Sequence, residues 1–177
     1  MVIQKMTEQE CRAMLAETYV ARLACARNNQ PYVVPIHVVW DGEFLYGYAT
    51  LGQKIEWMRQ NPLVCLEVDE LISHGQWASV VVFGYYEELP HTPENERSRS
   101  VAEHLFQRHP LWWEPALVPL ATHEQRTPVA FRIRIDRLTG RRAAPDSIKT
   151  VHVQENAPER RRPQWLAQVL RLVVGRH

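Results

Sequence analysis

Apolar and polar residues alternate along several segments of the chain, with a period typical of half-buried β-strands. The clearest example is Val129–Leu138, in which the apolar residues at 129, 131, 133 and 135 alternate with Arg132, Arg134 and Asp136, and Thr139–Gly140 is predicted to end this strand. Five further segments have strand character: Tyr19–Arg27, Pro31–Trp40, Phe44–Thr50, Leu63–Asp69 and Trp77–Glu87. Turn residues separate neighbouring strands, which predicts antiparallel pairing through short connections.

Three segments have the apolar spacing of helices. Thr7–Thr18 begins with Thr7 and Glu10 at the spacing of a capping box. Gly52–Gln60 ends before an Asn-Pro pair, and Pro93–His109 begins with a proline that suits a first helical turn.

The sequence therefore predicts a mainly β fold with flanking helices, in which six strands form a closed or nearly closed antiparallel barrel. Composition changes after residue 144, so residues 1–144 are predicted to form the barrel domain. Residues 145–177 are predicted to be a linker followed by an amphipathic helix that docks on the barrel or on a partner subunit.

Composition narrows the class of protein. The 177-residue chain has a formal net charge of +1, which gives no general attraction to nucleic acid or anionic membranes. Three widely spaced cysteines fit neither a disulfide framework nor a zinc site. The first residues lack the apolar core of a signal peptide, and no segment has the apolar length of a membrane span. We therefore expect a cytoplasmic protein without a metal site.

The junction at Leu45–Pro62 carries candidate chemistry. Thr50 ends a predicted strand, Gly52 permits close approach to the backbone, and Lys54 lies in the first turn of the next helix. A helix N-terminus offers free N–H groups to an anion, so this junction is a candidate phosphate cradle. Strand-glycine-helix junctions with a solvated lysine are also common, and that alternative stays open on these residues alone.

Three motifs in this order resemble the flavin-binding split-barrel superfamily. They are "PYVVPIHVVWDGEFLYGYAT", "TLGQKIEWMRQNPLVCLEVDE" and "WASVVVFGYYEEL", preceded by a helix and the strand "ARLACA". The resemblance covers about Thr7–Arg142 and is strongest to the pyridoxamine 5′-phosphate oxidase-like group, in its nitroimidazole-resistance (Nim)-like branch. The chain has no counterpart of the arginine-containing tail with which the true oxidases hold their substrate phosphate.

The resemblance implies a homodimer of split barrels with two FMN sites at the interface. Thr50 and Lys54 then bind the phosphate, with Gly52 beside them, and the partner subunit covers part of the flavin with Trp112 or Trp113. The remaining residues expected to bind the flavin ring come from two strands: Pro35, Ile36, His37, Val38 and Val39, and Trp77, Ala78 and Ser79.

His37 has two interpretations, as a hydrogen-bonded core histidine or as a flavin neighbour that contacts ring or substrate. The expected activity is that of an FMN-dependent oxidoreductase, which reduces a small molecule such as a nitro compound with electrons from NAD(P)H. No catalytic nucleophile is needed, because the cofactor carries the redox chemistry. The alternatives are a haem- or deazaflavin-binding split barrel, or a flavin-binding sensor without turnover.

Overall fold

The computed structural model describes residues 2–109 and 128–144. Trp112, Trp113 and the tail at 145–177 lie outside these residues, so the predictions made for them, including the domain boundary after residue 144, stay predictions.

The described residues form eight strands and three helices. The strands are β1 (Val2–Lys5), β2 (Val20–Arg27), β3 (Gln30–His37), β4 (Val39–Trp40), β5 (Phe44–Ala49), β6 (Leu63–Ser73), β7 (Gln76–Glu88) and β8 (Val129–Ala144). The helices are α1 (Glu8–Ala16), α2 (Gln53–Gln60) and α3 (Glu96–Arg108), and a short 3₁₀ turn at Pro93–Asn95 precedes α3. The predicted mainly β, antiparallel class with flanking helices is confirmed.

All strand pairs are antiparallel, and the order across the sheet is β3-β2-β6-β7-β8-β5-β4, with β1 paired to the end of β8. The chain passes from β3 at one edge of this sheet to β4 at the other through Val38 alone, whose N–H donates to the carbonyl of Tyr19 at 3.0 Å. The two edges are therefore adjacent in space, and the sheet rolls into a barrel.

The barrel is open beside β3. Val39 and Trp40 of β4 pair with Tyr46 and Leu45 of β5, but no strand pairing joins β3 to β5 among the described residues. Extending the β4–β5 register places His37 opposite Tyr48 and Pro35 opposite Thr50. We call this gap between β3 and the second half of β5 the split.

Two apolar clusters stabilise the fold. Inward side chains of the barrel form the larger one, together with Leu15 of α1 and Ile55 and Met58 of α2, each 0–1% exposed. The smaller cluster lies outside β5, where α3 packs against Tyr46 and Tyr48. The alternation along β5 thus supplies both clusters, because neighbouring residues of a strand point to opposite faces.

Two differences from the sequence prediction concern strand boundaries. The predicted six strands become eight because the second one breaks at Val38 and because Val2–Lys5 pairs with β8. The predicted end of the last strand at Thr139–Gly140 is wrong, since β8 continues to Ala144. A Cβ on Gly140 would lie 2.6 Å from Sγ of Cys11, so this glycine makes room for α1 instead of ending the strand.

Candidate functional site

The junction between β5 and α2 is open, and Lys54 lies in its first helical turn. Thr50 is exposed, and Gly52 caps α2 in an extended conformation (φ 175°) without a side-chain hydrogen bond to the helix. A Cβ on Gly52 would meet only the Thr50 carbonyl oxygen at 4.0 Å, so there is free space above the first turn. Half-buried Lys54 has no hydrogen bond or ion pair within residues 2–109 and 128–144.

The opposite end of α2 is firmly attached to the barrel. Nε and Nη2 of Arg59 each donate to a carboxylate oxygen of Glu88 at 2.7 Å, and Nδ2 of Asn61 donates to the Ala26 carbonyl at 3.0 Å. Arg59 holds the pKa of Glu88 below its usual range. The side of α2 is packed too, with the Trp57 and Tyr32 rings 5.6 Å apart. These contacts fix the direction in which the open N-terminus of α2 points.

The segment Pro35–Val39 lies along the split, beside this junction. Ile36, Val38 and Val39 are buried, Pro35 is exposed, and His37 points to the outer side, towards α3. The structure therefore brings the predicted ring-binding strand and the predicted phosphate cradle to one opening of the barrel.

His37 is enclosed by aromatic rings. The Phe106 ring lies edge-on at 5.0 Å and the Tyr19 ring at 6.3 Å, while His109 stacks on Tyr19 at 4.3 Å. Burial, and then the neighbouring His109, lower the pKa of His37 from 6.5 to about 4. His37 is consequently neutral near pH 7 and is suited to packing and hydrogen bonding, not to carrying charge.

Sequence reasoning missed two residues that line the outer side of the split. Phe106 of α3 contacts both His37 and Tyr48, whose ring centroid lies 4.9 Å from that of Phe106. The sequence does place Tyr48 on the aromatic face of its strand and Phe106 on the apolar face of its helix. Neither pattern indicates which strand the helix covers, because that depends on the tertiary packing.

Trp77, Ala78 and Ser79 lie elsewhere in the protomer. Ser79 pairs with Arg141 near the end of β8, whereas Ala49, next to Thr50, pairs with Val129 at its start. In the other direction Ser79 is three strand spacings, about 14 Å, from β3. Its hydroxyl donates to Oε1 of Glu67 at 2.8 Å. Within one protomer, the structure does not place Trp77, Ala78 and Ser79 beside the predicted phosphate cradle. Their role in flavin binding stays a prediction.

The arrangement at the split fits a phosphorylated ligand. Unpaired N–H groups at the start of α2, the Thr50 hydroxyl and the Lys54 ammonium offer hydrogen bonds and positive charge to a phosphate. In the described parts of the chain, no three histidine, cysteine, aspartate or glutamate side chains are arranged to hold a metal ion. Within the same residues, no helix combines the length and apolar character needed to cross a bilayer.

The fold and the opening beside β3 define a split β-barrel of the pyridoxamine 5′-phosphate oxidase type. A profile of the pyridoxamine 5′-phosphate oxidase family matches residues 7–142. The chain belongs to this family, and the resemblance inferred from the sequence motifs is confirmed.

The chain is also similar to individual proteins of known sequence or structure. An uncharacterized protein of Rhizobium meliloti (strain 1021) is 42% identical over 151 residues, which is 84% of this chain and all of the relative. A crystal structure described as a FAD-binding protein from Mesorhizobium loti is 39% identical, covers 82% of this chain and 99% of its own, and has a TM-score of 0.69. A crystal structure described as a putative 5-nitroimidazole antibiotic resistance protein from Bacteroides thetaiotaomicron is 18% identical, covers 80% of this chain and 89% of its own, and has a TM-score of 0.57. At this identity the similarity shows the fold alone.

Proposed function

We propose that this protein binds a flavin nucleotide, FMN, with the phosphate at the Thr50–Lys54 junction and the flavin ring along Pro35–Val39. The observation that carries the proposal is the open N-terminus of α2, which has free N–H groups and, beside the split, a Lys54 without an ion pair among the described residues. Membership of the pyridoxamine 5′-phosphate oxidase family supports it.

Electrostatics favours an anion at this junction. A lysine in the first turn of a helix adds to the positive end of the helix dipole, and the single Glu56 carboxylate of the same turn does not balance both. A phosphate at Gly52 supplies the missing negative charge, and it accepts hydrogen bonds from the backbone, the Thr50 hydroxyl and the Lys54 ammonium. The open space above Gly52 leaves room for it.

The walls of the split have complementary roles. Its barrel side is apolar, with Ile36 and Val38 buried, and its outer side is aromatic, with Tyr48 and Phe106 in contact. Such walls exclude water from a planar ring. Neutral His37 adds a group that is able to hydrogen-bond without introducing charge.

The bound flavin supplies the redox chemistry of an oxidoreductase, taking electrons from NAD(P)H and delivering them to a small acceptor such as a nitro compound. The residues of the chain bind, orient and shield the cofactor. The working unit is proposed to be a homodimer with its cofactor sites at the interface, since β3, which borders the split, is also an edge of an exposed sheet face.

The test is flavin occupancy of purified variants, measured by absorbance near 450 nm. Lys54→Ala is expected to lose most of the bound flavin while keeping the far-UV circular dichroism of the wild type. Gln53→Ala is the matched control, because it alters a neighbouring exposed side chain of the same turn and is expected to keep its flavin. Normal occupancy in Lys54→Ala would refute the phosphate assignment.

FAD is the second candidate, because the relative from Mesorhizobium loti is described as FAD-binding. The same junction then holds one phosphate of the FAD pyrophosphate. Chromatography of the cofactor released by heat separates the two nucleotides, and we expect FMN. Released FAD would change the identity of the ligand but not the location of its phosphate.

A further inference from the structure

The two edges of the split are not joined by strand pairing within the described residues. β3 pairs with β2 on its other side, and β5 pairs with β8 on its other side. The β4–β5 register, when extended, places His37 of β3 opposite Tyr48 of β5. Ladder hydrogen bonds hold paired strands about 4.7–4.9 Å apart, and the split lacks this constraint. The separation of its edges therefore depends on side-chain contacts.

One side chain of α3 contacts both edges. The ring centroid of Phe106 lies 5.0 Å from that of His37 and 4.9 Å from that of Tyr48, with the ring planes inclined at 63° and 73°. Such edge-to-face contacts are a preferred arrangement of aromatic rings. Burial raises the pKa of the Tyr48 hydroxyl, as expected where water has little access. Phe106 thus bridges the split at a point where the backbone does not.

Helix α3 is anchored on both sides of Phe106. Near the start of the helix, Nη1 of Arg99 donates to the Leu89 carbonyl at 2.5 Å. Directly after its end, the His109 ring stacks on the Tyr19 ring with 4.3 Å between the centroids. These two contacts attach α3 to the end of β7 and to the residue before β2, so they fix the position of Phe106 over the split.

We propose that Phe106 is a positioning residue, which holds the two edges of the split together and thereby limits the rate at which the flavin dissociates. This inference rests on the proposed function, in which the flavin ring lies along Pro35–Val39. A planar ring that is enclosed between two edges leaves when the edges separate. Without the bridge the edges separate more readily, so water reaches the ring and the cofactor is released faster.

The contacts assign this role to Phe106 and not to α3 as a whole. Val101 and Leu105 lie on the same apolar face of the helix and pack in the same cluster. Among the described aromatic residues, Phe106 alone has ring contacts with both β3 and β5. Val101 is therefore a matched control, since its truncation weakens the packing of α3 but leaves the bridging ring in place.

The first test is the dissociation rate of FMN from Phe106→Leu, followed by the fluorescence of the released flavin after dilution. Leucine keeps the apolar contacts of α3 but has no ring to reach both edges, so FMN is expected to dissociate at least tenfold faster than from the wild type. Val101→Ala is expected to release FMN at nearly the wild-type rate. Equal acceleration in both variants, or a wild-type rate in Phe106→Leu, would overturn the proposal.

The second test needs no flavin and uses His37 as a reporter. An NMR pH titration of the flavin-free protein follows its ring proton, and the pKa of about 4 reflects burial. In Phe106→Leu water gains access to the ring, so the pKa of His37 is expected to rise above about 5, whereas Val101→Ala is expected to leave it unchanged. The titratable and charged groups nearby, which are His109, Arg99 and Glu103, are the same in both variants.

The two tests separate this inference from the proposed function. A wild type that binds no flavin refutes the proposed function, while the titration of His37 still supports or overturns the bridging role of Phe106. An unchanged pKa of His37 in Phe106→Leu means that Phe106 does not close the split. A raised pKa with an unchanged FMN dissociation rate means that the bridge does not retain the cofactor, and the proposal is then wrong.

Discussion

Lys54 connects local helix physics with the proposed activity. It follows Gly52 and lies in the first turn of α2, where a positive charge opposes the helix dipole. Arg59 lies at the other end of the same short helix, where a positive charge is favourable, and it forms an ion pair with Glu88. In the proposed function, a bound phosphate offsets this unfavourable position of Lys54. Departures from local preference of this kind are expected at functional sites.

His37 provides a pH prediction. Its pKa is about 4 in the folded protein and near 6.5 when unfolded, so the unfolded chain binds the proton more readily. His37 therefore leaves the free energy of unfolding unaffected above about pH 6.5, and it lowers that free energy as pH falls from there towards 4. The loss is on the order of 3 kcal/mol once His37 is protonated in both states.

The free energy of unfolding of the wild type and of His37→Leu is measured by urea denaturation at pH 7 and at pH 4.5. Both proteins have the same titrating carboxylates, so the difference between their losses reports on this histidine alone. Leucine keeps the apolar contacts with Phe106 without a titrating group. We expect the wild type to lose more stability than the variant on acidification. Equal losses would mean that His37 is solvated in the folded state.

Strand β7 provides a packing prediction at the scale of elements. Gly84 lies opposite a register shift in β8, and a Cβ there would lie 2.5 Å from the Arg134 carbonyl oxygen and 2.8 Å from Cγ2 of Ile133. Gly84→Ala is therefore expected to lower the free energy of unfolding by about 1–3 kcal/mol. Gly75→Ala is the control, since a Cβ on Gly75 meets nothing within 4 Å.

Thermal and urea denaturation of the two alanine variants give this comparison directly. The Gly75→Ala protein is expected to stay within about 0.5 kcal/mol of the wild type. A Gly84→Ala protein of wild-type stability would show that β7 and β8 separate easily at the register shift.

Strand and helix identities were predictable because their signals are local. The capping box of α1 forms as its spacing predicts, with the Glu10 N–H donating to Thr7 Oγ1 at 3.2 Å. The ends of β8 and β3 were not predictable, because they depend on distant partners. Gly140 resembles a strand end in sequence, yet it lies within β8 because Cys11 and Met6 occupy the space beside it.

At the scale of the whole molecule, the sequence shows which residues form the predicted cradle but not which residues surround it. Thr50, Gly52 and Lys54 lie within five consecutive residues, so one junction brings them together and their motif can be recognised in the sequence. The residues Tyr48 and Phe106 join the site only through the packing of α3. Trp77–Ser79 lies three strand spacings from β3, a separation that depends on strand order and is invisible in the sequence.

The most direct test of the account is a titration of flavin-free protein with FMN and, separately, with riboflavin, which lacks the phosphate. FMN is expected to bind at least tenfold more tightly than riboflavin, a difference of about 1.4 kcal/mol or more, because its phosphate contacts Lys54, Thr50 and the start of α2. In Lys54→Ala the two affinities are expected to converge. Equal affinity of the wild-type protein for FMN and riboflavin would contradict the account.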